Sequence, residues 1–358
     1  MKPTQQLHDL GQSLWLDNIT RTMLDDGTEQ GYIDDYSVSG QTSNPTIFDK
    51  AISGGDAYDE QIAELREKGM EPEDIFFELA LADVTRAAKL FAPIHERTDR
   101  MDGWVSIEVS PRLAYDTEAT IQQAADLHGR AEENNFVKIP GTPEGLPAIE
   151  ESVFAGVPIN VTLLMSSEQT MAAADAYMKA IERRIEAGLD PDVPSVLSLF
   201  ISRWDVAVGD QVPDEIKNTL GIAVGRQTYA AWRRMLASER WQGLAAKGAR
   251  LQRLLFASTG TKDPEASETL YVEAFAAPDT INTMPDKTLL AFAEGGKVGD
   301  PLPADGGDYE DVFDAHRRAG VDVDGLGLQL QKEGAEKFVK SWMDLLETIK
   351  SESERLVA

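Results

Sequence analysis

Cysteine is absent from the 358-residue chain, and histidine is limited to four residues. Without thiols the protein has no disulfide bridge, no cysteine nucleophile and no thiolate metal site. The histidines show no metal-binding spacing such as His-Glu-x-x-His. They lie in or beside segments with helical periodicity, at His8, His95, His128 and His316. We therefore expect no bound metal, no cofactor and no mechanism based on histidine.

Basic residues are few, because 34 Lys and Arg against 62 Asp and Glu leave a formal net charge of −28. Such a chain cannot neutralise nucleic-acid phosphates and is repelled by an anionic membrane surface. No stretch approaches the roughly 20 apolar residues that span a bilayer, and residues 1–6 lack the apolar core of a signal peptide. With 42% hydrophobic residues, the composition predicts a globular protein of the cytoplasm with a large core.

The chain also lacks the glycine motifs that bind nucleotides in open α/β sheets. What it contains is an alternation of short β-rich runs with longer runs of helical spacing, which predicts parallel strands joined by crossover helices. The predicted strands are residues 13–17, 36–39, 104–110, 136–140, 158–164, 196–201, 251–258 and 271–274. The predicted helices are residues 57–67, 73–91, 117–133, 144–154, 167–187, 214–238, 264–269 and 285–294.

A closed eight-stranded barrel and an open doubly wound sheet both fit this alternation. Polar residues inside the strand candidates favour the barrel, because a barrel brings side chains from many strands to one end. They are Asp17, Glu108, Lys138, Asn160, Thr162 and Ser198. We predict one (β/α)8 TIM-type barrel domain over residues 1–358, with extra helices. Within it, residues 295–327 read as a surface excursion and residues 328–355 as an amphipathic helix that packs on the barrel.

Lys138 lies in the run Phe-Val-Lys-Ile-Pro at 136–140, with apolar residues on both sides. A lysine in a buried strand needs a partner or a function. Desolvation favours the neutral amine, which can attack a carbonyl and form a Schiff base. An ion pair with a carboxylate of a neighbouring strand explains the same pattern, and both interpretations stay open.

Two carboxylates occur in similar surroundings, Asp17 at the end of Leu-Trp-Leu-Asp and Glu108 in Val-Ser-Ile-Glu-Val-Ser. Each is either an ion-pair partner for Lys138 or a proton-transfer group. In a Schiff-base aldolase one base takes a proton from a substrate hydroxyl, and one acid–base group handles water while the carbinolamine forms and breaks down.

Small polar residues complete the candidate set. Asn44 precedes Pro45, which favours an extended residue followed by a helix. Asn160 and Thr162 alternate with aliphatic residues and therefore share one strand face, which is the lumen in a barrel. Ser198 and Phe200 alternate in the same way, so they share a face too.

Two features suit an anion. Arg203 follows a strand end, where barrel active sites form. Segment 258–262, Ser-Thr-Gly-Thr-Lys, follows a strand and precedes the predicted helix at 264–269. Its backbone N–H groups and Lys262 would make an anion pocket, although an ordinary βα turn has a similar composition.

Taken together, these motifs resemble the transaldolase family, and most closely its longer bacterial branch. The order and spacing hold over nearly the whole chain. The matching segments are LWLDNITR (14–21), TSNPTIF (42–48), SIEVSPRLAYD (106–116), VKIPGT (137–142), NVTLL (160–164), SLFISR (198–203) and EGAEKF (333–338).

The resemblance implies a TIM-type barrel that transfers a dihydroxyacetone unit from a ketose phosphate to an aldose phosphate in the non-oxidative pentose phosphate pathway. The donors would be sedoheptulose 7-phosphate or fructose 6-phosphate, and the acceptors glyceraldehyde 3-phosphate or erythrose 4-phosphate. By position, Lys138 matches the Schiff-base lysine and Asp17 the carboxylate that takes the hydroxyl proton. Glu108 matches the group acting through water, and Thr162 helps to hold that water.

Substrate-binding positions carry over as well. Asn44 and Asn160 match residues that bind the dihydroxyacetone hydroxyls, Ser198 and Phe200 line the same pocket, and Arg203 matches a phosphate-binding arginine.

One position departs from the family pattern. Shorter relatives carry a second phosphate-binding arginine soon after the serine that corresponds to Ser258, and here the place reads Thr-Gly-Thr at 259–261. We propose Lys262 as the substitute, although a lysine cannot form the bidentate contact of an arginine.

Two other functions stay open. A related Schiff-base aldolase would release free dihydroxyacetone, but such relatives generally lack a carboxylate at the position of Glu108. A sugar-phosphate-binding protein without catalysis would leave Lys138 unmodified. The expected partners are small sugar phosphates, and the sequence does not distinguish a monomer from a homodimer.

Overall fold

Eight parallel strands close into a barrel in chain order in the computed structural model, which describes residues 1–357. The last residue of the predicted domain, Ala358, lies outside the described residues. The strands are β1 (Ser13–Asp17), β2 (Val38–Thr42), β3 (Val105–Glu108), β4 (Asn135–Pro140), β5 (Ile159–Leu164), β6 (Ser195–Phe200), β7 (Arg253–Ala257) and β8 (Ile281–Met284). The pairing of β1 with β8 closes the barrel. The predicted barrel class is thereby confirmed and the open sheet excluded.

Helices cover the outside of the barrel and both ends of the chain. They are α1 (Pro3–Leu10), α2 (Arg21–Asp26), α3 (Thr28–Tyr36), α4 (Pro45–Ser53), α5 (Asp59–Glu67), α6 (Pro72–Arg97), α7 (Thr117–Arg130), α8 (Gly145–Phe154), α9 (Ser167–Glu186), α10 (Ser202–Val208), α11 (Leu220–Leu236), α12 (Glu239–Ala245), α13 (Leu270–Ala274), α14 (Asp286–Gly295), α15 (Tyr309–Arg318) and α16 (Val323–Val357). Within residues 1–357, no helix is long and apolar enough to cross a membrane.

The last strand is not where the sequence pattern placed it. Residues 271–274 were predicted as a strand because they are rich in aromatic and β-branched residues, but they form the helix α13. The actual strand β8, Ile-Asn-Thr-Met, has two adjacent polar residues at its centre and so lacks an apolar run. The predicted helix at 264–269 is also wrong, because that segment consists of turns and irregular backbone.

The second strand is displaced from its predicted position as well. The prediction was 36–39, whereas β2 runs from Val38 to Thr42. The sequence Gly-Gln-Thr at its end resembles a turn, but Gly40 is needed because the Trp15 indole lies against it. A Cβ at this position would lie 2.5 Å from the Trp15 ring, so only glycine fits there without movement of β1 or β2.

A polar network closes the N-terminal end of the barrel. Asp102, in the loop before β3, accepts hydrogen bonds from Trp15 Nε1 at 2.7 Å and Ser39 Oγ at 2.8 Å, and a further one from Ser13 Oγ. Arg253, the first residue of β7, donates to Ser13 Oγ at 2.6 Å. These groups lie at the N-terminal ends of the strands. In a barrel of this type, polar residues at that end stabilise the fold, and catalysis takes place at the other end.

The C-terminal helix begins at Val323, five residues before the predicted start at 328, and packs against α4, α5 and α6. Trp342 sits edge-on to Phe76, with ring centroids 4.7 Å apart. The segment 295–327 contains α15, so part of the predicted excursion is helical. Because α16 crosses the C-terminal ends of β4 and β5, it can contribute side chains to whatever site forms there.

Candidate active site

A cavity of about 350 Å³ opens at the C-terminal ends of the strands. Of the eleven site residues predicted from the sequence, nine line it. They are Asp17, Asn44, Lys138, Thr162, Ser198, Phe200, Arg203, Ser258 and Lys262. The other two, Glu108 and Asn160, lie directly behind lining residues and contact them. Eleven residues from distant parts of the chain therefore meet at one place.

Lys138 lies in the middle of β4, and only 5% of the residue is exposed. Its Nζ donates a hydrogen bond to the Ser43 carbonyl oxygen at 2.9 Å and lies 2.9 Å from Glu108 Oε2. The register of β3 and β4 pairs Glu108 with Lys138, which explains why two side chains so far apart in sequence meet. The ion pair expected under the structural interpretation is therefore present, and it also puts a proton acceptor beside the amine.

Two buried oxygens, one within this pair and one on β5, have no hydrogen-bond partner within the described residues. They are Glu108 Oε2, whose contact with Lys138 has poor hydrogen-bond angles, and Thr162 Oγ1. Buried polar atoms are nearly always satisfied by protein groups or by ordered water. Each of these oxygens could therefore bind a water molecule or a substrate hydroxyl.

Asp17 ends β1 and is partly buried at the cavity wall. Burial raises the pKa of its carboxyl, and this effect outweighs the opposing influence of Lys138, of the hydrogen bond from Thr42, and of Lys262. Thr42 Oγ1 lies 2.9 Å from Asp17 Oδ1 and 2.8 Å from Thr283 Oγ1. A carboxylate with a raised pKa takes up a proton more readily than an ordinary aspartate.

A hydrogen-bonded row of side chains fixes the lumen face of β3, β5 and β6. Ser198 Oγ donates to Asn160 Oδ1 at 2.6 Å, and Asn160 Nδ2 donates to Ser106 Oγ at 3.2 Å. Asn160 and Thr162 thus share the lumen face of β5, as the alternation in the sequence predicts. Because each member of the row is buried, the amide of Asn160 is held in one orientation.

Asn44 has the extended backbone expected before a proline, with φ −153° and ψ 162°. Its side-chain oxygen caps α4 by accepting from the Ile47 N–H at 3.2 Å. The cap occupies the oxygen, and the amide nitrogen donates to no acceptor among residues 1–357. Asn44 therefore combines a structural role at the helix start with a donor at the cavity wall.

The anion-binding candidates Arg203, Ser258 and Lys262 line the same cavity. Arg203 is near the start of α10, and its guanidinium carbon lies 5.1 Å from the Phe200 ring centroid and 5.4 Å from that of Phe338. Desolvation lowers the pKa of Arg203. Ser258 has a left-handed backbone, with φ 55°, and its hydroxyl contacts Ser202 Oγ at 2.9 Å. Since the next helix, α13, begins only at Leu270, the expected contribution of a helix N-terminus to this pocket is wrong.

Sequence reasoning missed several residues that line the cavity. Thr283 was missed because β8 was misplaced, and Phe338 because nothing local ties α16 to the strand ends. Lys50, one helical turn beyond Thr46 on α4, also lines the cavity. It could have been noticed as a basic residue close to the Thr-Ser-Asn-Pro segment.

A larger cavity, of about 590 Å³, lies between the start of α9 and the first turns of α16. It contains none of the predicted site residues, and its walls include the apolar side chains of Trp204, Val224 and Phe313. A buried lysine and two carboxylates converge at the smaller cavity, whereas no lysine among the described residues lines the larger one, so we take the smaller cavity as the candidate active site. Among residues 1–357 no cluster of acids and histidines could hold a metal ion.

Comparison with known proteins agrees with this geometry. The family described as "Transaldolase/Fructose-6-phosphate aldolase" matches residues 14–349. A protein named transaldolase from Saccharopolyspora erythraea is 42% identical over 98% of both chains. Transaldolase 2 of Streptomyces coelicolor is 40% identical over 98% of this chain and 97% of its own length. A transaldolase of Thermobifida fusca is 41% identical over 97% of each. With a family match over most of its length and relatives this similar from end to end, the chain belongs to the transaldolase/fructose-6-phosphate aldolase family.

Proposed function

We propose that the protein is a transaldolase that carries a three-carbon dihydroxyacetone unit on Lys138. The observation that carries the proposal is the buried Lys138–Glu108 pair, 2.9 Å apart, behind a cavity that Asp17 also lines. The transaldolase names of the similar proteins support the same reaction. The substrates would be sedoheptulose 7-phosphate or fructose 6-phosphate as donors, and glyceraldehyde 3-phosphate or erythrose 4-phosphate as acceptors.

The first stage forms an imine. The neutral amine of Lys138 attacks the ketose carbonyl carbon, and the carbonyl oxygen leaves as water after it has gained two protons. Glu108 lies close enough to accept the ammonium proton. A water molecule held by Thr162 and Glu108 would relay protons to the departing oxygen, which suits the two buried oxygens that lack donors.

The second stage breaks the carbon–carbon bond between the third and fourth carbons of the ketose. Asp17 takes the proton of the hydroxyl on the fourth carbon, whose new carbonyl leaves as an aldose phosphate. The bonding electrons move into the imine and give an enamine on Lys138. An acceptor aldose phosphate then enters, the enamine carbon attacks its aldehyde, and Asp17 returns the proton. Water finally hydrolyses the imine.

Polar side chains of the cavity wall would orient the substrate. We propose that Asn44 and Asn160 hold the hydroxyls of the dihydroxyacetone unit and that Ser198 and Phe200 fit around it. The phosphate would lie near Arg203, Ser258 and Lys262, which all line this cavity and together line a second one as well. Four basic residues, Lys50, Lys138, Arg203 and Lys262, line the cavity, and in a protein with net charge −28 they would attract an anionic substrate locally.

Two further proposals concern the number of domains and the cellular location. We propose that the chain forms a single domain, since α16 supplies Phe338 to the same cavity as the barrel strands. Its work on free sugar phosphates would be done in the cytoplasm.

A second candidate function follows from the family description, which also includes fructose-6-phosphate aldolase. In that reaction water rather than an aldose would take over the three-carbon unit, and free dihydroxyacetone would be released. The carboxylate of Glu108 beside Lys138 favours transfer. Cleavage of fructose 6-phosphate should therefore stay slow until an aldose phosphate is added, and rapid cleavage without an acceptor would favour the aldolase.

The decisive experiment is borohydride trapping with fructose 6-phosphate, followed by peptide mass spectrometry. We expect a reduced three- or six-carbon adduct on Lys138, and none in the Lys138→Arg variant, which keeps a cation beside Glu108. Lys179→Arg is the matched control, because this exposed lysine pairs with Asp175 on the outer helix α9. No adduct on the wild-type protein would refute both the transaldolase and the aldolase mechanisms and leave a binding protein.

A further inference from the structure

The guanidinium of Arg203 is held between two aromatic rings rather than by a carboxylate. Its carbon lies 5.1 Å from the Phe200 centroid and 5.4 Å from the Phe338 centroid, and the two rings are perpendicular, 6.3 Å apart. Phe200 ends β6 and precedes Arg203 by three residues, whereas Phe338 comes from α16. Aromatic faces attract a cation without neutralising its charge. The positive charge of Arg203 is therefore retained for an incoming anion.

No ion pair within residues 1–357 includes Arg203, although the chain carries 62 acidic residues. Arg203 is mostly buried, and a buried cation without a counter-ion is unusual in a folded protein. Salt bridges elsewhere on the surface of this chain are frequent, as at Arg183 and Arg240. The contrast indicates that the surroundings of Arg203 are built to hold the side chain in place while leaving its hydrogen-bond donors free.

Helix α16 is fixed in register at this point. Gln331 Nε2 donates to the Gly141 carbonyl oxygen at 2.9 Å and to that of Leu163 at 3.1 Å, just beyond β4 and near the end of β5. Gly334 and Phe338 follow three and seven residues later, and so lie on the same helix face. The anchored glutamine thereby determines where Phe338 meets Arg203.

Gly334 allows the helix to come this close. A Cβ there would lie 2.8 Å from Leu163 Cδ1 and 3.4 Å from Arg203 Nη1. The backbone of α16 thus passes directly against the guanidinium, and a larger residue would push the two apart. Gln331, Gly334 and Phe338 lie on one face of α16, and this face covers Arg203 at the cavity mouth.

We propose that Phe338 is a positioning residue for phosphate recognition, holding the Arg203 guanidinium at the cavity mouth so that its N–H groups meet the phosphate of the sugar. The inference rests on the proposed function, in which Arg203 binds that phosphate. It assigns to α16 a part in selecting phosphorylated over unphosphorylated sugars. In this role Phe338 acts through Arg203 rather than on the reacting carbons, so its influence falls on substrate binding and not on bond cleavage.

The test compares two donors that differ only in the phosphate, fructose 6-phosphate and fructose, in the full-length protein. Unphosphorylated glyceraldehyde serves as acceptor, so that only the donor can carry a phosphate. For Phe338→Ala we expect KM for fructose 6-phosphate to rise about tenfold with kcat changed less than about twofold. The loss of kcat/KM with fructose should be at most about threefold. Inhibition by inorganic phosphate should weaken by a similar tenfold.

Three further variants make the interpretation specific. Phe338→Leu keeps most of the volume without the ring and should lose the phosphate preference, whereas Phe338→Tyr keeps the ring and should retain it. Val339 is the neighbouring residue on α16 and does not line the cavity. Val339→Ala is therefore the matched control for the effect of shortening a side chain on this helix. Should Phe338→Ala fail to fold, the comparison of the leucine and tyrosine variants decides the question.

The outcomes separate the inference from the proposed function. A wild-type protein that transfers no dihydroxyacetone from either donor contradicts the proposed function, and the inference with it. Wild-type transfer with no preference for the phosphorylated donor leaves the transfer chemistry standing and overturns the inference. So does an unchanged phosphate preference in Phe338→Leu, or an equal loss for both donors in Phe338→Ala, because equal loss indicates a packing defect only.

Discussion

Glu29 on α3 is a carboxylic acid buried entirely inside the protein, and its replacement by glutamine should stabilise the fold in a pH-dependent way. The residue has no exposed surface. Its Oε2 accepts a hydrogen bond from Gln41 Nε2 at 2.7 Å, while Glu29 Oε1 and Gln41 Oε1 lack partners within the described residues. Burial, reinforced by the negative charge of Asp286, raises the pKa of Glu29 to about 8.

The magnitude follows from proton linkage. In the unfolded chain Glu29 loses its proton near the ordinary value of 4.5, and in the folded protein only near pH 8. The protonated group therefore contributes fully to folding below about pH 4.5, and this contribution is lost as the pH rises towards 8. Over the roughly 2.5 pH units up to neutrality, at about 1.36 kcal/mol per unit, the folded state loses about 3 kcal/mol.

Glu29→Gln keeps the shape and stays uncharged, so it removes this loss. We expect the free energy of unfolding of the variant to lie within about 1 kcal/mol of wild type at pH 5 and to exceed it by about 3–4 kcal/mol at pH 7.5. Urea denaturation at both pH values, followed by tryptophan fluorescence and circular dichroism, measures the difference. Asp34→Asn is the control, because this exposed carboxylate lies on the same helix.

The reasoning would be refuted by an equal difference between Glu29→Gln and wild type at pH 5 and pH 7.5. Such a result would mean that Glu29 stays ionised in the folded protein. A pH-dependent gain in Asp34→Asn as large as that of Glu29→Gln would contradict the argument too, since it would trace the effect to the net charge of the chain.

Three more outcomes are expected. Asp17→Asn should still form the imine that borohydride traps but should cleave the donor at least about 100-fold more slowly, as loss of a general base does; a normal transfer rate would remove Asp17 from this role. Burial raises the pKa of Asp17, so acidification should begin to lower the wild-type kcat at a pH above the range in which an ordinary aspartate is protonated. A kcat that stays constant down to that ordinary range would contradict this. Gly40→Ala should lower the free energy of unfolding by about 1–3 kcal/mol, because its Cβ would lie 2.5 Å from the Trp15 ring; Gly31→Ala, where nothing lies within 4 Å, is its control in thermal denaturation.

The alternation of strands and helices and the chemical candidates could be read from the sequence because both leave local signals. Lys138 stands out by its apolar neighbours alone, and the alternation around Asn160 and Thr162 shows which side chains share a face. Polar residues inside apolar strands also indicated the closed barrel. Such signals lie within a few residues of one another, and so they survive without knowledge of the tertiary contacts.

Strand β8 shows where local signals fail. Its adjacent polar residues Asn282 and Thr283 interrupt the apolar pattern of a strand, while the apolar residues of α13 imitate one. The conformations of β8 and α13 both depend on contacts with residues distant in sequence. Thr283 forms a hydrogen bond with Thr42 of β2, and Tyr271 donates one to the buried Asp205. A short segment takes its conformation from such partners more than from its own propensities.

The amino-acid sequence by itself determined the fold class, the absence of cysteine and hence of thiol chemistry, and the identity of the candidate lysine and carboxylates. Only the tertiary structure decided that Glu108 lies 2.9 Å from Lys138, that Glu29 is buried against Gln41, and that Phe338 faces Arg203 across 135 positions of sequence. The physical reason is that composition and periodicity report on neighbours along the chain, whereas strand register and helix docking set contacts between residues that are distant in it. The chemistry of each side chain can therefore be read locally, but its proton equilibrium and its orientation follow from the closure of the barrel and the docking of α16.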